Sequence, residues 1–253
     1  MTAPTLKKFL DSARPADARQ VVVCAGDSLT HGVWSANWVR LLQRDLGRRG
    51  YVVVNAGWSG FLSCSLLREI DAVIDARPDV VVVMIGTNDV MASMHDAWRR
   101  SYDRQEPPEH PTLDTFRTWL DQIVLRLRSD TSARLALVDL PPVGEDLDGA
   151  FNVRVGLFNE VIREVAARYD VAVLPLNARL AALVEASSTA EPFDGTMKEI
   201  RSAMIQRKLL RRRWDKISAR AGRVVLTDNI HLNDRAAGEV AALVRGFVDD
   251  SSP

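Results

Sequence analysis

The stretch Gln20-Val21-Val22-Val23-Cys24-Ala25-Gly26-Asp27-Ser28-Leu29 passes from an apolar segment straight into a cluster of turn formers. An apolar run of this length, rich in β-branched residues and too short for a core helix, reads as a strand buried on both faces. Comparable runs occupy residues 51–56, 79–85, 133–140 and 171–175. Between them, residues 37–49, 63–76, 112–128 and 153–169 carry apolar side chains at helical spacing, and a last such segment covers 234–248. Leu113, Phe116, Leu120, Ile123, Val124 and Leu127 show the core-facing stripe most clearly. Strand and helix alternating in this way imply right-handed crossovers, and so an α/β fold with a parallel sheet covered by helices on both faces. Ligand sites in such folds lie beyond the carboxyl ends of the strands.

The 253 residues contain no Pro/Gly/Ser-rich linker and read as a single domain over 1–253. Lys and Arg together number 33, as do Asp and Glu, so overall charge steers the chain toward neither nucleic acid nor anionic membranes. The first residues, MTAPTLKKFLDSARPADAR, mix charges and lack the apolar core of a signal peptide. No transmembrane segment is expected, and a cytoplasmic location is the default. Cys24 and Cys64 are expected to be buried thiols, not a disulfide.

Two segments interrupt the rhythm. Residues 91–111 are too long for a plain connection and form a candidate lid insertion. Residues 187–223, before a final strand, form a basic helical insertion with Lys198, Arg201, Arg207, Lys208, Arg211, Arg212, Arg213, Lys216, Arg220 and Arg223. Ile200, Met204, Ile205, Leu209, Leu210 and Trp214 are expected to anchor its other face. A second reading makes the insertion an anion-recognising element for a phosphate-bearing substrate, a nucleic acid or a membrane surface.

Four polar motifs fall at strand ends or just before the last helix: Gly26 to Leu29, Asn55 to Gly60, Gly86 to Asp89, and Asp228 to His231. A lone Gly-Asp-Ser is an ordinary turn, but a serine hydroxyl becomes a nucleophile when an imidazole takes its proton. His231 is the candidate base, and Asp228 is the carboxylate placed to hold its tautomer. Attack on an ester produces an oxyanion, for which the backbone N–H of Ser28 and of Gly60 and the side-chain amide of Asn88 are candidate donors. Asp27 is read as a second layer that fixes the serine turn, Asp89 as a brace or helix cap, and His31 as a possible pocket-lining residue. His95 and His110 are expected in exposed loops. No His-x-His or His-Glu-x-x-His occurs, so neither a metal nor another cofactor is expected.

Taken together, these blocks resemble those of the GDSL esterase/lipase group, also called SGNH hydrolases. The resemblance implies a three-layer α/β/α flavodoxin-like fold and metal-free acyl-enzyme chemistry. It gives Ser28, Gly60, Asn88 and His231 as the name-giving residues, with Asp228 orienting His231. Within the glycine block Gly57 competes with Gly60, and the family spacing favours Gly60. The long basic insertion departs from compact members of the group. The expected function is hydrolysis of a small-molecule ester with a short acyl group. Acyl (O-acetyl) transfer by the same residues and a non-catalytic anion-binding module are the alternatives, and no nucleic-acid partner is expected.

Overall fold

A computed structural model describes residues 3–12, 14–15, 18–187 and 192–250. Residues 188–191 of the basic insertion lie outside this set. Five strands form one parallel sheet: β1 (Gln20–Gly26), β2 (Tyr51–Gly57), β3 (Val80–Met84), β4 (Arg134–Val138) and β5 (Ala172–Leu174), in the order β2-β1-β3-β4-β5. This is a flavodoxin-like order, with the switch point between β1 and β3.

The helices in chain order begin with α1 (Leu6–Leu10), α2 (Ser28–His31), α3 (Trp38–Leu46), α4 (Ser63–Arg68), α5 (Ile70–Asp75), α6 (Thr87–Met94) and α7 (Asp96–Ser101). They continue with α8 (Leu113–Asp130), α9 (Ala150–Arg168), α10 (Leu176–Glu185), α11 (Lys198–Lys208), α12 (Trp214–Arg220) and α13 (Asp234–Asp249).

Successive strand side chains point to opposite faces, so β1 feeds two cores. Val21, Val23 and Ala25 pack into a cluster with α4, α5, α8 and α9, while Val22 and Cys24 join a second cluster with α3, α10, α12 and α13. The result is the α/β/α sandwich expected from the sequence, buried on both faces of its sheet. Both cysteines are buried free thiols. No helix among the described residues is long and apolar enough to cross a membrane.

The structure departs from the sequence reading in several places. The N-terminal segment forms α1, whose Leu6 and Phe9 are buried. The helix expected over residues 63–76 divides at Glu69 into α4 and α5. The insertion over 91–111 carries α7, and its Trp98 and Tyr102 are buried in the first core.

The expected final strand is absent from the described sheet, where residues 224–226 take another partner. The N–H groups of Val224, Val225 and Leu226 donate to the buried Glu145 carboxylate at 2.8–2.9 Å. A carboxylate here replaces a strand ladder, leaving only an isolated bridge between Leu226 and Leu232. Within residues 187–223 the described helices are α11 and α12; α11 ends at Lys208 and Arg211 takes φ +48, so the apolar stripe breaks. Met204 and Trp214 are buried as anchors, whereas Leu209 is 75% exposed and Ile205 and Leu210 are also exposed.

Candidate active site

Each candidate residue lies in the connection that follows β1, β2 or β3 at the carboxyl edge of the sheet, or in the turn before α13. Ser28 opens α2, two residues after β1 ends. Asp27 caps that helix, its Oδ1 accepting the Leu29 N–H at 2.9 Å. Asn55 ties α2 to β2: its Nδ2 donates to the carbonyls of Thr30 and His31 at 3.1 and 3.3 Å.

Ser28 Oγ lies 3.1 Å from His231 Nε2, across 203 residues of sequence. On the far side of the ring, His231 Nδ1 lies 2.9 Å from Asp228 Oδ2. A carboxylate only accepts, so Nδ1 carries the proton and Nε2 is left as the acceptor facing the hydroxyl. Asp228 Oδ1 also accepts the N–H of Ile230 at 3.2 Å and of His231 at 2.9 Å, which closes the turn beneath the ring. All three side chains are buried.

Burial by itself lowers the His231 pKa, but the charge and hydrogen bond of Asp228, with a further contribution from the Asp27 charge, leave it raised above the ordinary histidine value. Burial pushes Asp27 up to about 7, partly offset by the Leu29 N–H and the His231 charge. Its Oδ2 has no partner among the described residues.

The structure also separates the two glycines. Gly57 N–H already donates to Asn55 Oδ1 at 2.9 Å, and a side chain there would strike the backbone of α2 at 2.3 Å. Gly57 is therefore a close-packing residue. Gly60 has φ +82, a left-handed conformation that favours glycine, and open space around the position of a Cβ. Its N–H donates to no acceptor among the described residues.

Asn88 is fixed from two sides. Its Nδ2 donates to the Phe61 carbonyl at 2.8 Å, and its Oδ1 accepts from the Tyr102 hydroxyl at 2.7 Å. A carbonyl cannot donate, so Phe61 sets which end of the amide is nitrogen, and one Nδ2–H remains for another acceptor. Asp89 braces the same loop, taking the Ser63 hydroxyl at 2.6 Å and the Ser63 N–H at 3.1 Å.

Sequence reading did not give Tyr102 a place at the site, nor Glu145, Glu199 or Arg223. Arg223 Nε donates to Asn229 Oδ1 at 2.9 Å, and Glu199 pairs with Arg223 while accepting from Asn229 Nδ2 at 3.2 Å. Asn229 sits at φ +73 inside the Asp228–His231 turn, so these contacts hold an unfavourable backbone in place. Segments 91–111 and 187–223 also meet: Trp98 Nε1 donates to the Gly195 carbonyl at 2.6 Å. His31 is half-buried in α2 and lies 2.8 Å from Ser59 Oγ, and His95 caps α7.

A serine, an imidazole and a carboxylate in series, at the carboxyl edge of a parallel sheet, form an arrangement that can activate the hydroxyl as a nucleophile. Residues 24–237 match the GDSL-like Lipase/Acylhydrolase family, and the chain belongs to that family. It is accordingly a carboxylic ester hydrolase by family. No curated protein matches it. Among solved structures, the lipase/acylhydrolase from Enterococcus faecalis is 20% identical, with 90% of this chain and 95% of that chain covered and a TM-score of 0.60. The acetyl xylan esterase AlAXEase is 20% identical, with 90% and 99% covered and a TM-score of 0.63. Axe2, an acetylxylan esterase from Geobacillus stearothermophilus, is 15% identical, with 92% and 95% covered and a TM-score of 0.65. At these identities the likeness is one of fold.

Proposed function

We propose that the chain is a serine esterase acting on small esters, with Ser28 as nucleophile, His231 as general base and acid, and Asp228 as the group that orients and charges His231. The observation that carries this reading is the unbroken series from Ser28 Oγ through both ring nitrogens of His231 to the Asp228 carboxylate. In the first half-reaction Ser28 Oγ bonds to the ester carbonyl carbon while His231 Nε2 takes its proton. The proton then passes to the leaving alcohol as the carbon–oxygen bond breaks. Water, activated by the same nitrogen, releases the acid and restores Ser28.

The oxyanion is received by the N–H groups of Ser28 and Gly60 and by the remaining Nδ2–H of Asn88. Tyr102 acts through Asn88 as a positioning residue, by donating to its Oδ1. Tyr102→Phe removes that donor and is expected to lower kcat about tenfold with KM little changed. In an Asn88→Ala background the same substitution is expected to have no further effect, whereas independent losses would show Tyr102 to serve packing alone.

The acetylxylan esterases of like fold support an acetyl or other short acyl group. A p-nitrophenyl ester series from acetate to decanoate tests this reading: kcat/KM should be highest at the short end, and a maximum at the long end contradicts it. Acyl transfer to an added alcohol is the competing outcome, because the acyl-enzyme is common to both reactions. It is distinguished by the appearance of a new ester in place of free acid.

A further inference from the structure

The basic insertion leaves an unexplained cleft. Helices α11 and α12 and the segment after them border a cavity of about 740 Å³, of a size that suits a small organic ligand. Its lining brings Lys198, Arg201, Arg212, Arg220 and Arg223 against a single carboxylate, Glu199. That carboxylate is already engaged by Arg223 and Asn229. Lys198 lies within electrostatic reach of Asp194, but Arg201 and Arg220 make no ion pair among the described residues, so the cleft presents an excess of cationic donors. The buried apolar side chains of Ala203 and Ile217 also line it and leave room for an uncharged part of a ligand. Like charges gathered around a concavity repel one another, and a multiply charged anion with several acceptor oxygens removes that repulsion.

The cleft also reaches the residue that leads into the Asp228–His231 turn. Thr227, which lines it, precedes Asp228, and Arg223 donates to the Thr227 carbonyl at 3.1 Å as well as to Asn229. An anion that draws on the Arg223 guanidinium therefore competes with the contacts that hold the Asp228–His231 turn.

We propose that this cleft binds a small phosphate-bearing molecule and that its occupancy adjusts the turn carrying Asp228 and His231. The binding half stands on the cleft alone, whereas the coupling half rests on the esterase reading above. Phosphate is favoured over a carboxylate ligand because its oxygens can be shared among several guanidinium groups at once.

Calorimetric titration with inorganic pyrophosphate at fixed ionic strength tests the binding half without using activity. Saturable binding is expected in the wild type and equally in Ser28→Ala, weakening as salt is raised. Arg201→Ala/Arg220→Ala should weaken it by about tenfold or more, with circular dichroism confirming an intact fold. Lys198→Ala serves as a second, milder variant with a smaller loss.

Absence of saturable binding up to about 10 mM pyrophosphate in the wild type overturns the proposal, as does equal affinity in the double variant. Binding of RNA or of anionic vesicles without binding of pyrophosphate also overturns it. For the coupling half, pyrophosphate should change wild-type ester turnover by about twofold or more, an effect absent from the double variant. Unchanged turnover at saturating pyrophosphate overturns the coupling while leaving the esterase reading intact.

Discussion

Ser28→Ala should lower kcat/KM for p-nitrophenyl acetate by about four orders of magnitude or more, while circular dichroism and Tm stay close to wild type. The size follows from the place of the hydroxyl in the proposed chemistry: without Oγ there is no acyl-enzyme, and only the N–H donors remain to assist attack by water. The small structural effect follows from the contacts. Oγ touches the His231 ring and makes no other hydrogen bond among the described residues, and the fold around it is set by Asp27 and Asn55. A variant that folds normally and retains turnover within tenfold of wild type contradicts the assignment of Ser28. Loss of structure instead is answered by covalent labelling of the unsubstituted chain, which tests the same hydroxyl without a substitution.

Asp228→Asn should lower kcat by about three to four orders of magnitude, and for a different reason. An asparagine retains one oxygen, and the N–H groups of Ile230 and His231 hold that oxygen where Asp228 Oδ1 now sits. Its amide nitrogen then faces His231 Nδ1 and can only donate. The ring responds by moving its proton to Nε2, which presents a donor to Ser28 where an acceptor is needed.

The pH profile should change as well. In the proposed chemistry His231 acts as base when neutral, so wild-type kcat/KM should rise with pH through a pKa above ~6.5, raised by the Asp228 charge and hydrogen bond against the effect of burial. Removing that charge should carry the residual limb to lower pH. A wild-type profile that is flat from about pH 5 to 8 contradicts His231 as base, and a limb that does not move in Asp228→Asn contradicts Asp228 as the source of the raised pKa.

The layered fold was readable because its cause is local. Five short apolar runs alternate with helical stripes, and the two-residue period of β1 sends Val21 and Val23 to one core and Val22 and Cys24 to the other. The site blocks were readable for a related reason: each polar motif follows a strand or precedes a helix, so topology gathers them at one edge. What escaped depends on segments distant in sequence meeting in space. Residues 224–226 look strand-like, but Glu145, some 80 residues earlier, takes their N–H groups. Nothing near Tyr102 in sequence indicates that its hydroxyl reaches Asn88, because that contact depends on how α7 packs.

The basic insertion failed in a more instructive way. Leu209 and Leu210 fit a helical stripe only if one helix continues through them, and the break after Lys208 turns them outward. Family spacing favoured Gly60 over Gly57, but spacing could not supply the physical difference between them. That difference turns on the Asn55 side chain, which engages one N–H and leaves the other without an acceptor among the described residues.

The central claim is that Ser28 Oγ is the atom that attacks. Treating the wild-type chain with a fluorophosphonate and locating the adduct by peptide mass spectrometry tests it directly. The proposal predicts a single phosphonyl group on the peptide carrying Ser28, formed faster above pH 7 than below pH 6 and strongly slowed in His231→Ala. An adduct on another residue, or none in a folded protein that hydrolyses esters, would contradict it.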